Sequence, residues 1–212
     1  MRALKLIAVA ALLLPGTGLA GTQAEEPLAA SVRTSLQRAV SDRAAPRLAF
    51  NSEVEARRWF GPMSRQLERQ MPDEGQRIDF LRTVHYEATR AGLDPELVLG
   101  LIQVESAFRK YAVSSAGARG FMQVMPFWVN TIGAAEHNLF HLRTNLRYGC
   151  TILRHYLDIE QGNLFRALGR YNGSLGQREY PDLVLRAWSN WRLPSTRTVE
   201  YTSAGRASPL TP

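Results

Sequence analysis

A helix that ends on a carboxylate is predicted by residues 92–106, which read GLDPELVLGLIQVES. Asp94 can accept hydrogen bonds from the free N–H groups of a first helical turn, and Pro95 suits the first helical position. Glu96 then lies at the positive end of the helix dipole. These residues predict a helix that begins at Pro95 and runs to about Ser106.

Glu105 falls on the apolar face of this helix. It follows Val98 by seven residues, Leu101 by four and Ile102 by three, and these spacings repeat along one helix face. Burial raises the pKa of a carboxyl, and a carboxyl that stays protonated near neutral pH can donate a proton to a leaving oxygen. The spacing therefore predicts a glycosidase-type general acid. The structural alternative is a glutamate at a frayed helix end that reaches solvent or an arginine.

Two later segments supply groups suited to a sugar. Residues 114–126 read SSAGARGFMQVMP, whose small residues let the backbone pass close to a ligand. Within them Gln123 offers a hydrogen-bond donor and an acceptor, and Met122 offers apolar surface for a sugar face. Residues 170–173 read RYNG and place a phenol and an amide where a helix passes into a loop.

These segments, in this order, resemble the bacterial soluble lytic transglycosylases that have a lysozyme-like catalytic domain. The matching segments are Glu105-Ser106, residues 120–126 and residues 170–174, and the resemblance extends over about residues 76–190. Two positions depart from the family pattern. Phe121 stands where the family has leucine, and Gly173-Ser174 replaces a pair that ends in glycine, which predicts a different backbone turn there.

The resemblance implies a reaction and a site. It implies that Glu105 protonates the glycosidic oxygen and then acts as a base, while the 6-hydroxyl of N-acetylmuramic acid attacks its own C1 to give a 1,6-anhydro sugar. Because the nucleophile is intramolecular, the reaction needs no second carboxylate, no metal and no cofactor. The resemblance also implies a substrate-binding set: Ser106, Met122, Gln123, Tyr171 and Asn172. It implies that Ser106 and Gln123 hydrogen-bond the substrate or organise the site, that Tyr171 lies near the Glu105 carboxyl or the reacting sugar, and that Met122 lines the groove.

The expected fold class is mainly α, within the α+β lysozyme-like superfamily, with an N-terminal helical extension before the catalytic domain. Residues 25–75 form the linker and helical extension, residues 76–193 the catalytic domain, and residues 194–212 a disordered tail. The further helices are predicted at 52–70 with Ser52 as cap, 74–91, a short one from Phe121, Pro126–Gly133, Thr144–Gln161, Asn163–Arg170 and Tyr180–Trp191.

Residues 1–24 are predicted to be a secretory signal. Arg2 and Lys5 precede a short apolar run, and small residues follow, with cleavage after Ala20 or Ala24. The alternative is an uncleaved membrane anchor, which the shortness of the apolar run disfavours. We therefore expect an exported protein, periplasmic or associated with the cell envelope.

Several other features favour plain structural roles. His137 and His141 lack a third ligand, so we expect no metal site, and Cys150 lies at helical spacing among leucines as a buried residue. Trp188 and Trp191 favour core packing over sugar stacking. The formal net charge is +7, but the arginines are dispersed and no nucleic-acid module is recognisable.

The expected partner is thus the peptidoglycan glycan strand, bound by a monomer, and any partner in the envelope machinery is unknown. Two rivals stay open at this point. A hydrolytic muramidase on the same fold would add water and release a reducing end, and a non-catalytic glycan-binding module would not cleave at all.

Overall fold

The computed structural model describes Gln23 and residues 25–41, 50 and 52–193, and the regular secondary structure of these residues is helical. Between the helices the described chain forms only two isolated β-bridges, both at Arg119. The predicted mainly α class is confirmed. In chain order the helices are α1 Ala30–Ser41, α2 Glu53–Leu67, α3 Glu74–Arg90, α4 Pro95–Ser106, α5 Phe127–Ile132, α6 Leu142–Ile159, α7 Leu164–Asn172 and α8 Glu179–Trp191.

Helix α4 is the central element. Its residues 97–102 are all buried, as expected of a helix that is apolar on every side. The predicted start is confirmed, because the Asp94 carboxylate accepts hydrogen bonds from the N–H groups of Glu96 and Leu97. Its most extensive contact is with α8, where a Cβ atom on Gly100 would lie 2.6 Å from the backbone nitrogen of Trp188. Only glycine therefore allows these two helices to approach so closely.

A buried ion cluster joins α3 to α6. Glu87 is fully buried, and its carboxylate accepts from Arg147 Nη2 at 2.9 Å and from Arg90 Nε at 2.9 Å, with Arg143 Nε at 3.5 Å. Since a buried carboxylate is tolerated only when it is paired, this cluster fixes how the two helices pack. Cys150 is also buried on α6, and burial raises the pKa of its thiol, which confirms a packing role.

The N-terminal extension contains two helices. Ser52 caps α2 as predicted, and its hydroxyl accepts from the N–H of Glu55. His85 packs beneath this helix against Phe50, with ring centroids 4.0 Å apart, and burial lowers its pKa to about 4. The residues before α2 are more ordered than the sequence suggested, since part of the expected linker forms α1. That helix buries only Leu36 and Val40, and cavities of about 210 and 320 Å³ lie along it.

Three local predictions were wrong. No helix begins at Phe121, because residues 119–124 instead form a tight turn closed by hydrogen bonds between Arg119 and Val124. Helix α6 begins at Leu142, after His141, rather than at Thr144. The helical spacing of residues 74–91 also predicts that Ile78 lies on the buried face of α3, but its side chain is exposed.

Two of the predicted segments lie largely outside the residues that the structure describes. The signal sequence, apart from Gln23, and the tail at residues 194–212 lie outside the described residues. Among the helices that are described, none is long and apolar enough to cross a membrane.

Candidate active site

Glu105 occupies the last turn of α4, where the chain leaves the core. The two residues after Ser106, Ala107 and Phe108, both have left-handed backbone angles, with φ of 48° and 62°. Such angles are uncommon for residues other than glycine, and they bring the chain sharply away from the end of α4. The Glu105 side chain is therefore half-buried at the edge of the core rather than sealed inside it.

The carboxyl of Glu105 is tuned towards its protonated form. Burial raises the pKa of Glu105 to about 8, and a hydrogen bond from the hydroxyl of Tyr180 acts in the opposite direction. This hydroxyl donates to Glu105 Oε1 at 2.5 Å. A carboxyl with this pKa carries a proton at neutral pH and can give it up, which confirms the direction of the shift predicted from the helix spacing.

Tyr180 was missed by the sequence analysis. It lies in the first turn of α8, and Gly100 lets α8 pack closely on the helix that carries Glu105. Burial and the nearby Glu105 raise the pKa of Tyr180 well above its usual value, so its hydroxyl remains a proton donor. The only sequence signal was a tyrosine at the start of an apolar helix, and that pattern gives no indication of a contact with Glu105.

Gln123 holds the loop that faces this region. Its amide nitrogen donates to the carbonyl oxygens of Gly120 at 2.9 Å and Ala112 at 3.1 Å, and its backbone φ is +46°. The side chain is buried. The Gln123 amide N–H groups thus bind the loop's own backbone, an arrangement of the kind expected of a residue that organises the site.

Asn145 fixes the same loop from α6. Its amide oxygen accepts from the N–H of Met122 at 2.8 Å, and its amide nitrogen donates to the carbonyls of Arg119 at 2.8 Å and Leu139 at 2.9 Å. Gly120 makes room for it, because a Cβ atom there would lie 2.4 Å from the Asn145 amide nitrogen. No local pattern in the sequence indicates that Asn145 holds this loop, because its partners Met122 and Arg119 lie more than twenty residues away in sequence.

Met122 does not line a groove, which corrects the sequence-based expectation. Its side chain is fully buried over Gly149, where a Cβ atom would lie 2.3 Å from the methionine sulfur. The hydroxyl of Tyr171, also fully buried, donates to the carbonyl oxygen of Met122 at 2.7 Å. Burial, and after it the nearby Glu105, raise the pKa of Tyr171 well above its usual value, but its hydrogen bond goes to the loop.

Ser106 and Asn172 are both buried. The Ser106 hydroxyl donates back to the carbonyl of Ile102 at 3.2 Å, within its own helix. Asn172 is the last residue of α7, and Gly173 follows it with φ of +81°. The structure thus brings Gln123, Met122 and Tyr171 together in one hydrogen-bonded unit, with Ser106 and Asn172 at neighbouring helix ends.

Several other acids of the catalytic region have structural partners. Asp94 caps α4, and Glu160 forms ion pairs with Arg166 and Arg170. Asp158 is paired with Arg154 at 2.5 Å. Glu105 differs from them because it accepts a hydrogen bond from a phenol rather than from a cation or a helix end.

The histidines do not gather around a metal. His137 Nδ1 forms a hydrogen bond with the Tyr148 hydroxyl at 2.7 Å. Across the described ranges, no group of three or more histidine, cysteine or acidic side chains is placed to hold a metal ion.

Fold and site together define a mainly helical domain whose central helix ends on a half-buried glutamate that is hydrogen-bonded to a tyrosine. Residues 82–180, a little under half of the chain, match the Transglycosylase SLT domain. The match includes Glu105, the loop at 112–124 and Tyr180, its last residue.

Relatives with curated names agree with the domain. The chain is 30% identical over 116 residues to a protein named Transglycosylase from Enterobacteria phage PRD1, which covers 51% of this chain and 43% of the relative. It is 53% identical over 47 residues to a Membrane-bound lytic murein transglycosylase C of Actinobacillus pleuropneumoniae serotype 5b (strain L20), which covers 22% of this chain and 13% of the relative. A protein of the same name from Glaesserella parasuis serovar 5 (strain SH0165) is 40% identical over 81 residues, which covers 38% of this chain and 16% of the relative. The chain thus spans less than half the length of these relatives.

Proposed function

We propose that this protein is a peptidoglycan lytic transglycosylase that cleaves between N-acetylmuramic acid and N-acetylglucosamine. The observation that carries the proposal is the Glu105 carboxyl, whose pKa burial raises to about 8 and whose Oε1 accepts the Tyr180 hydroxyl at 2.5 Å. The family of residues 82–180 and the names of the relatives support the substrate. We propose residues 76–193 as the catalytic domain and residues 25–75 as its extension.

In the proposed mechanism Glu105 acts twice. It first gives its proton to the glycosidic oxygen as the bond from that oxygen to C1 of N-acetylmuramic acid breaks. The 6-hydroxyl of the same sugar then attacks C1, and its proton passes to the Glu105 carboxylate. The products are a 1,6-anhydro end and a new 4-hydroxyl, with Glu105 protonated again. Because the nucleophile belongs to the substrate, its effective concentration is high.

Tyr180 has a positioning role in this proposal. When Glu105 has lost its proton, the short hydrogen bond from Tyr180 stabilises the carboxylate that remains. Gln123, Tyr171 and Asn145 hold the backbone of the loop at 119–124, which we propose lies against the glycan. Ser106, Gln123 and Asn172 remain the proposed substrate-binding residues.

The proposed setting is the cell envelope, where the substrate is found. Relatives named membrane-bound lytic murein transglycosylases support an envelope association, and the signal predicted at residues 1–24 would export the chain. We propose a monomer that needs neither metal nor cofactor.

Mass analysis of soluble muropeptides after digestion of purified sacculi tests the reaction. The proposal predicts products that end in 1,6-anhydro-N-acetylmuramic acid. Products with reducing ends would instead identify a hydrolytic muramidase, and a protein that binds sacculi without releasing fragments would be a glycan-binding module.

A further inference from the structure

An aromatic patch is formed by the exposed Tyr111 on the loop that follows Glu105 and by the half-buried Phe140 just before α6. The rings of Tyr111 and Phe140 have centroids 5.9 Å apart. The Lys110 ammonium stands 5.2 Å from the centre of the Tyr111 ring, and the Arg119 guanidinium stands 6.0 Å from that of Phe140. We call these four residues the aromatic patch.

The patch rests on a backbone that is tied to the candidate active site. Arg109 N–H donates to the carbonyl of Ser106, and Ala112 N–H donates to the carbonyl of Arg109, which links the end of α4 to the loop. The carbonyl of Ala112 then accepts from Gly120 N–H at 2.9 Å and from the Gln123 amide at 3.1 Å. Tyr111 precedes Ala112, so its position is set by the same bonds that hold Gln123.

Packing does not account for Tyr111. Its side chain is 70% exposed, and Val113, on the other side of Ala112, is 61% exposed. These are the highest values among the large hydrophobic side chains that the structure describes. Apolar side chains that a hydrogen-bonded backbone keeps exposed to solvent are typical of a binding site. Tyrosine is well suited to one, since it offers a broad apolar face and a hydroxyl at the edge.

Positive charge surrounds the patch without compensation from the local sequence. Between Glu105 and Glu136 the chain contains three cations, Arg109, Lys110 and Arg119, and no acidic residue. All three are exposed. A carbohydrate that carries carboxylates would thus meet aromatic faces and cations together.

We propose that the aromatic patch is a glycan subsite that takes a sugar ring bearing an anionic peptide. The sugar's apolar face stacks on Tyr111 and contacts Phe140, while Lys110 and Arg119 attract the carboxylates of the attached peptide. This proposal rests on the proposed function, because it assigns the patch to the same peptidoglycan strand that Glu105 cleaves. It goes further by making recognition of the peptide part of substrate selection.

Kinetics on solubilised peptidoglycan strands test the stacking surface. Tyr111→Ala is expected to raise KM about fivefold with little change in kcat, since one aromatic contact is worth about 0.5–1.5 kcal/mol. Tyr111→Phe keeps the ring and should behave like the wild type. Val54→Ala is the matched control, because Val54 is a large exposed residue on α2. An unchanged KM for Tyr111→Ala, or an equal rise in the KM of Tyr111→Phe, would overturn the stacking role.

Equilibrium binding to two insoluble glycans tests the cations. Sacculi and amidase-treated sacculi, which lack peptides, are compared in pull-down assays. The Lys110→Gln/Arg119→Gln variant is expected to lose about fivefold in affinity for sacculi and little for the stripped glycan. Equal losses on both would contradict recognition of the peptide carboxylates. A wild type that binds both glycans but cleaves neither would refute the proposed function and leave the patch tested by binding alone.

Discussion

Removing the hydroxyl of Tyr180 should change the pH at which the enzyme loses activity. In Tyr180→Phe the ring remains in the core, but Glu105 loses the 2.5 Å hydrogen bond that holds its pKa down against the effect of burial. A hydrogen bond to a charged group is worth about 1.5–3 kcal/mol, and about 1.4 kcal/mol corresponds to one pKa unit. We therefore expect the pKa of Glu105 to rise by about one unit.

The direction of the change in activity follows from the role of Glu105. The reaction begins with the carboxyl protonated, so activity falls as pH rises through its pKa, about 8 in the wild type. In Tyr180→Phe this alkaline limb should move to higher pH. The plateau rate should fall about tenfold, because the carboxylate left after proton donation is no longer stabilised.

The assay is the pH profile of kcat/KM on solubilised glycan strands, with Tyr171→Phe as the matched control. Tyr171 is equally buried, but its hydroxyl donates to the Met122 carbonyl, so its loss should leave the alkaline limb in place. An alkaline limb that stays fixed or moves to lower pH in Tyr180→Phe would refute the reasoning. A shift of equal size in both variants would do the same.

Three further predictions concern stability and metals. In urea unfolding, Glu105→Gln should stabilise the protein by up to about 5 kcal/mol at pH 9 and by almost nothing at pH 4, because burial raises the pKa of Glu105 from 4.5 to about 8 and wild-type stability therefore falls as pH rises between those values. A gain that is largest in acid would contradict this. Gly100→Ala should lower the free energy of unfolding by about 2–3 kcal/mol, because its Cβ would lie 2.6 Å from the backbone nitrogen of Trp188. The control Gly75→Ala should be nearly neutral, because the nearest atom to its Cβ lies at 3.4 Å. Equal melting temperatures for the two variants would argue against the close contact between α4 and α8. Treatment with EDTA should leave activity unchanged, since His137 bonds to a tyrosine hydroxyl, and a loss that added zinc restores would overturn a metal-free reaction.

Local signals in the sequence located most of the helices. The Asp94-Pro95 start of α4 and the caps at Ser52 and Asn163 all lie where the pattern placed them, because each cap depends on residues within one turn. Prediction from the sequence failed where residues distant in sequence fix the backbone. The turn after Phe121 is one example, since Asn145 on α6 holds it.

The candidate site divides in the same way. The apolar setting of Glu105 could be predicted from helical spacing alone, and the direction of its pKa follows from that setting. The tyrosine that contacts it could not, because both Tyr171 and Tyr180 lie at the ends of later helices. Only the packing of α8 on α4 determines that Tyr180 reaches the carboxyl while Tyr171 bonds to the loop.

The rate of glycan release from sacculi by Glu105→Gln tests the central claim most directly. Glutamine keeps the shape of the side chain but cannot supply the proton, so cleavage should fall by at least about a hundredfold while sacculus binding is retained. Glu179→Gln, which changes an exposed carboxyl beside Tyr180, is the matched control and should cleave at the wild-type rate. If Glu105→Gln keeps more than about a hundredth of the wild-type rate, Glu105 is not the general acid.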